Sequence, residues 1–135
     1  RFYETKSEES LTTAIAPGID MALDTRSSAT VKEGQPLQVE LFKGNVYFDI
    51  DKNAASQLEV KVGNAVIKDF GTRFSIQMHK DGSSHIAVAD GHIKIHVASG
   101  IYQINALEQV AFNDASISKH RLVTERDIAP WRAKQ

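Results

Sequence analysis

The chain has 135 residues, 41% of them hydrophobic, and a formal net charge of -1. That length predicts one domain whose core needs no covalent staples. The even charge balance excludes a basic field for nucleic acid and a polybasic membrane patch. The absence of cysteine excludes disulfides, thiolate metal sites and cysteine catalysis, and is compatible with an oxidising compartment. No apolar run reaches the length of a transmembrane helix, and no signal peptide is visible. The opening at Arg1 and the stop at Gln135 read as cuts from a longer protein.

Period-two alternation runs through almost the whole chain. Phe2 to Lys6 and Ser10 to Ala16 are β-prone, and Pro17-Gly18 turns the chain. Ile19, Met21 and Leu23 alternate with polar or small neighbours. Ala29 to Lys32 forms a brief strand closed by Glu33-Gly34-Gln35-Pro36. Leu37, Val39 and Leu41 come next, then a turn at Lys43-Gly44-Asn45, then Val46, Phe48 and Ile50. A polar loop spans Asp51 to Ser56. Leu58, Val60 and Val62 lead to the Gly63-Asn64 turn and a strand from Ala65 to Phe70. Phe74, Ile76 and Met78 follow. Asp81-Gly82 and Asp90-Gly91 are hairpin signals, flanking Ile86 and Val88, with Ile93, Ile95 and Val97 beyond. The alternation weakens through Tyr102, Ile104, Val110, Phe112 and Ile117. Thr124 can cap a short turn over Glu125 to Asp127, which Pro130 keeps short. The fold class is therefore all-β. About a dozen short, mostly antiparallel strands form a two-sheet sandwich or a solenoid-like single domain, with a short irregular or helical C-terminal segment. No βαβ pattern supports a doubly wound fold.

The centre of the pattern is Asp69-Phe70-Gly71-Thr72-Arg73-Phe74. Gly71 interrupts two strands, as at a bulge, a bend or a close backbone approach. Thr72 can bond locally, while Phe70 and Phe74 place apolar area on either side. The residues read as a structural corner carried by Gly71, Thr72 and Phe74. A substrate or phosphate loop is the alternative, but no helix follows to supply a nest of amides.

Chemistry-bearing residues are few. His92 and His96 flank Lys94 on one strand face. If Asp90-Gly91 is a two-residue hairpin and Asp81-Gly82-Ser83 a three-residue loop, Met78 faces Ile86. His79, His85 and His96 then align across three strands. Such a row can bind zinc or copper or sense pH. The alternative is a solvated outer face, since no carboxylate supplies a second shell. Asp49 with Asp51, and Asp20 with Asp24, are near enough for glycosidase chemistry but sit beside turns. No nucleophile elbow, phosphate loop or dinucleotide fingerprint occurs. The expectation is a non-enzymatic module without cofactor or metal. Trp131 either caps the apolar end of the domain or, with Arg132, contacts a partner or a following domain.

Three stretches together resemble the FecR family. Leu41-Phe42-Lys43-Gly44-Asn45-Val46-Tyr47-Phe48-Asp49-Ile50 is similar to its "leucine, two residues, Gly-Glu-Ala-x-Phe-x-Val" segment. Phe70-Gly71-Thr72-Arg73-Phe74-Ser75-Ile76 is similar to "Leu-Gly-Thr-x-Phe-x-Val". Val88-Ala89-Asp90-Gly91-His92-Ile93-Lys94-Ile95 is similar to "Val-x-Glu-Gly-x-Val-x-Val". Pro17 to Ser28 fits the family's opening strands, although Pro17-Gly18-Ile19 stands in place of Asp-Gly-Ser. Trp131-Arg132 falls where the family's domain commonly ends in tryptophan.

The resemblance implies the periplasmic domain of an inner-membrane sigma-factor regulator of iron uptake and related responses. Its partners would be the N-terminal signalling domain of a TonB-dependent outer-membrane receptor and a following secretin/TonB-type domain. The cytoplasmic sigma factor would bind through a preceding segment. Such a domain acts by docking, and an unpaired sheet edge near either terminus would be the place for it. An apolar patch near Trp131 would accompany that reading. The alternative is a small-ligand or carbohydrate-binding β-domain using the histidine face or an aromatic platform of Tyr47, Tyr102 or Trp131.

Overall fold

The computed structural model describes residues 1–54, 57–69 and 71–134. The alternation becomes fourteen strands among these residues. They are β1 (Phe2–Glu4), β2 (Leu11–Ala16), β3 (Ile19–Leu23), β4 (Ser28–Lys32), β5 (Leu37–Lys43), β6 (Asn45–Ile50) and β7 (Leu58–Val62). After these come β8 (Ala65–Asp69), β9 (Arg73–Met78), β10 (Ser84–Asp90), β11 (His92–Val97), β12 (Gly100–Asn105), β13 (Glu108–Phe112) and β14 (Ile117–Leu122). Two short 3-10 turns, Glu125–Asp127 and Pro130–Lys134, close the chain.

The strands form two seven-stranded sheets. Sheet A runs β1-β4-β5-β7-β8-β11-β12 and sheet B runs β14-β13-β10-β9-β6-β3-β2. Both orders follow the sequence from one end of the stack to the other. The chain lays down a strand or a hairpin in one sheet, crosses, and does the same in the other. β5 and β7 pair in parallel because β6, between them in sequence, lies in sheet B. The remaining described pairings are antiparallel.

The inward side chains of both sheets share one core. Phe48 and Phe74, with Ile19, Met21, Leu41, Leu58, Ile67, Ile76, Ile86, Ile93 and Ile95, are almost fully excluded from water. That exclusion is what period-two alternation encodes: one face of each strand is apolar and is driven inward.

Three turn readings change. Asp90-Gly91 is not a hairpin, since β10 belongs to sheet B and β11 to sheet A. Lys43-Gly44-Asn45 is likewise a crossing between sheets, from β5 to β6. In both places the inward sets on either side of the glycine meet across the sandwich instead of lying side by side. Asp81-Gly82 does close a hairpin, but the loop is Lys80-Asp81-Gly82. The Ser83 backbone oxygen accepts from the His79 N–H at 2.9 Å, and Met78 opposes Ser84, not Ile86. The Asp81 carboxylate sets this register by accepting from the Ser83 N–H and hydroxyl at 2.9 and 2.6 Å.

A second, smaller core lies on the outer face of sheet B. Ala22, Tyr47, Ala87 and Ala89 form its floor, and Val123, Ile128 and Ala129 cover them. Three alanines keep this face low enough for the C-terminal segment to lie flat. Thr124 starts the segment, donating from its N–H and hydroxyl to the Asp127 carboxylate at 3.2 and 2.8 Å.

Candidate functional site

Gly71 and Thr72 carry the chain from β8 in sheet A to β9 in sheet B. Gly71 has φ +124, and a Cβ there would lie 2.9 Å from the Lys52 Cα. Thr72 is buried, and its hydroxyl donates to the carboxylate of Asp69, which is itself 1% exposed. The Gly71 N–H donates to the same carboxylate at 3.2 Å. The Thr72 backbone oxygen accepts from Ile50 N–H at 2.8 Å. Phe74 points into the main core against Phe48. Phe70 lies outside the described residues.

Of the three histidines predicted to align, two meet. His79 Nε2 and His85 Nδ1 share a hydrogen bond, and their rings meet edge to face with centroids 4.6 Å apart. The predicted pairing was two residues out of register. A shift of two preserves the face, so the neighbours survive as a diagonal pair. His96 does not join them. It lies in sheet A, opposite Val66 and Ile101. Among the described residues no group of three or more His, Cys, Asp or Glu is placed to hold a metal ion.

His85 has a pH consequence. Burial, then the nearby charges of His79 and Arg121, hold its pKa below the ordinary value of 6.5, against the opposing pull of Asp81. The folded chain therefore binds this proton less readily than the unfolded chain. The contribution of His85 is constant above about pH 6.5 and becomes destabilising as pH falls from there through the folded pKa. Urea unfolding is expected to show a lower midpoint at about pH 5 than at pH 7, and His85→Gln to flatten part of that slope. An unchanged slope in His85→Gln would assign the acid response to other groups.

Trp131 and Arg132 lie against this chain's own sheet B. Trp131 is half-buried against the second core, and the Arg132 guanidinium stacks 3.5 Å from the centroid of the Tyr47 ring. Both side chains therefore cover part of the outer face of sheet B. Burial raises the Tyr47 hydroxyl pKa, opposed by Arg132 and Arg73. Arg73 fastens the segment from below, with its Nη1 2.9 Å from a Glu125 carboxylate oxygen. Trp131 lines a cleft of about 160 Å3 with His85 and Asp127. Arg132, Tyr47, Asp20 and Asp49 line another of about 250 Å3.

The carboxylate pairs are rearranged as well. Asp20 opposes Asp49 on adjacent strands. Asp51 accepts from Asn53 N–H at 2.9 Å, and Asp24 from Thr25 N–H at 2.8 Å, as turn residues do. The aromatics offered as alternative platforms lie in two places. Tyr47 and Trp131 are on the outer face of sheet B, whereas Tyr102 sits on β12 and packs toward the main core.

The open edges are β1 and β12 in sheet A, and β2 and β14 in sheet B. They fall near the two termini. At the β12/β14 end Ile101, Leu107 and Leu122 are exposed, Leu122 by 83%. No alternation signal marked these three, because each stands at a strand end or in a turn.

Two solved structures share this fold. Both are crystal structures of "a putative anti-sigma factor from Parabacteroides distasonis ATCC 8503". One aligns with TM-score 0.85 and 14% identity, covering 98% of this chain and 64% of the other. The second aligns with TM-score 0.80 and 15% identity, covering 93% and 61%. The chain thus spans less than two-thirds of the length of either. No curated protein matches the chain. The family model described as "FecR protein" matches residues 1–94, which include the corner at Gly71 and the crossings at Gly44 and Gly91. Matched over well more than half its length and folded as two facing sheets, the chain belongs to the FecR family.

Proposed function

We propose that this chain is the periplasmic signal-transmission domain of an inner-membrane sigma-factor regulator. It works by protein contact and not by catalysis. It relays the state of a TonB-dependent outer-membrane receptor through that receptor's N-terminal signalling domain. A following secretin/TonB-type domain is a further partner, and the cytoplasmic sigma factor binds through a preceding segment of the same protein. Membership of the FecR family is the observation that carries this reading. The likeness to anti-sigma-factor structures agrees with it.

The geometry supports docking at the β12/β14 end. Both sheets stop there with unpaired strand edges, and Leu107 and Leu122 lie together, since Val123 N–H donates to the Leu107 oxygen at 2.9 Å. An edge with exposed apolar side chains accepts a partner strand by main-chain pairing. The test is a calorimetric titration of this chain with the signalling domain of a receptor encoded beside it. Saturable binding is expected, weakened about tenfold or more by Leu122→Asp. Leu122 is too exposed for that change to unfold the domain. Absence of binding would remove the receptor contact from this domain, and equal binding by Leu122→Asp would move it away from the β12/β14 end.

A further inference from the structure

Three lysines converge at the corner between the sheets. A cleft of about 510 Å3 is lined by Lys52, Lys68, Lys94 and His92, with Gly71, Thr72 and Gly91 at its base. Lys68 and Lys94 stand directly opposite each other on β8 and β11. Like charges at that spacing repel and weaken a sheet. Lys52 is brought in by the tight approach of its backbone to Gly71. The two glycine corners are stacked: a Cβ on Gly91 would lie 2.6 Å from the Thr72 side chain and 3.2 Å from the Gly71 oxygen. Among the described residues, the Gly71 and Gly91 backbone and Thr72 lie at this end of the cleft.

The lysines form no close ion pair, none within 4.0 Å, among the described residues. The acids around them are otherwise engaged. Asp69 is bonded by Thr72 and Gly71, Asp51 by Asn53, and Asp90 lies 4.0 Å from Arg73. Among the described residues Glu59, opposite Lys68 on the far side, is the one carboxylate facing the group across a strand pair, and β12 presents the neutral Gln103 opposite Lys94. A chain with net charge -1 thus concentrates three ammonium groups around one concave site.

We propose that this cleft binds a phosphate-bearing anion with two or more negative charges. Its size suits a small ligand. Ammonium groups act as point charges that can surround a tetrahedral oxyanion. A planar carboxylate would be better matched by a guanidinium fork, and none lines the cleft. The anion would relieve the Lys68–Lys94 repulsion and rest against the chain at Gly71 and Gly91. The proposal does not rest on the receptor contact proposed above, although the cleft lies one strand in from β12, where Lys94 opposes Gln103.

The test uses the 135-residue chain and inorganic pyrophosphate, with sulfate at equal ionic strength as control. Calorimetry is expected to give saturable binding, with amide shifts centred on Gly71, Thr72 and Gly91. Lys68→Gln and Lys94→Gln should each weaken it about tenfold or more, while Lys80→Gln, on the β9–β10 loop, should not. A second arm uses phosphatidylcholine vesicles with and without phosphatidic acid. Binding to the acidic vesicles alone, lost in the Lys68→Gln/Lys94→Gln double variant, would identify a lipid headgroup as the source of the phosphate. Binding in neither arm, or binding that the double variant retains, overturns the proposal.

Discussion

Gly71→Val is expected to cost at least about 3 kcal/mol and to lower the melting temperature by roughly 10 °C. Two separate causes add. The backbone at φ +124 lies where a residue with a side chain is strained, and more so one branched at Cβ. The new Cβ would also sit 2.9 Å from the Lys52 Cα, a backbone atom that cannot rotate away. Relief requires shifting either the 51–54 turn or the crossing itself. The crossing is held by the Thr72–Asp69 and Ile50–Thr72 hydrogen bonds. Gly82→Ala separates the causes. It shares a positive φ, +89, but has nothing within 4 Å of the added carbon, so only conformational strain of about 1 kcal/mol remains. Thermal melts followed by circular dichroism measure both. Equal, small losses in the two variants would show that the corner yields and does not organise the sandwich.

Phe74→Ala is expected to destabilise by about 3–5 kcal/mol, a large fraction of the stability of an ordinary domain. Phe74 and Phe48 are cross-strand partners on β9 and β6, both 0% exposed, with ring centroids 5.3 Å apart and planes tilted by 33°. Removing one ring leaves a cavity walled by rigid sheet, which collapses poorly. A double-mutant cycle with Phe48→Ala is expected to give a coupling of about 1 kcal/mol, because the second truncation enlarges a hole already made. Denaturant titration with an unchanged m-value is the check. A loss below about 1 kcal/mol, or strict additivity, would mean that the two rings do not share one packed site.

Strands were legible in the sequence wherever one face is buried. Ile19, Met21 and Leu23, or Leu58, Val60 and Val62, announce a strand because burial on one side leaves no other arrangement of side chains. Partners were less legible. Asp90-Gly91 lies between two alternating runs in just the way that a hairpin turn would. Whether the second run folds back beside the first or crosses to the facing sheet depends on where the earlier strands already lie. That is how His96 came to be aligned with His85, although the two residues belong to different sheets. His79 and His85 stayed together because their register error was an even number. The lysine cleft was out of reach for the same reason: Lys52, Lys68 and Lys94 come from a loop and two strands whose adjacency only the crossings create. The second core was hidden by composition. Ala22, Ala87 and Ala89 occupy outward positions and look like filler until Ile128 and Trp131 cover them.

The order of strands in both sheets has a bearing on assembly. Each new strand or hairpin joins an edge that earlier residues have already completed. The widest described strand pairing, Asn45 with Gln77, joins residues only 32 apart. No strand must wait for the far end of the chain, and none must be inserted between two others. A polypeptide emerging N-terminus first can therefore zip up progressively, with the growing edge always the most recently made part. The same order leaves β12 and β14 as the last rungs added, so the open edges at that end are completed only when the rest of the domain already stands.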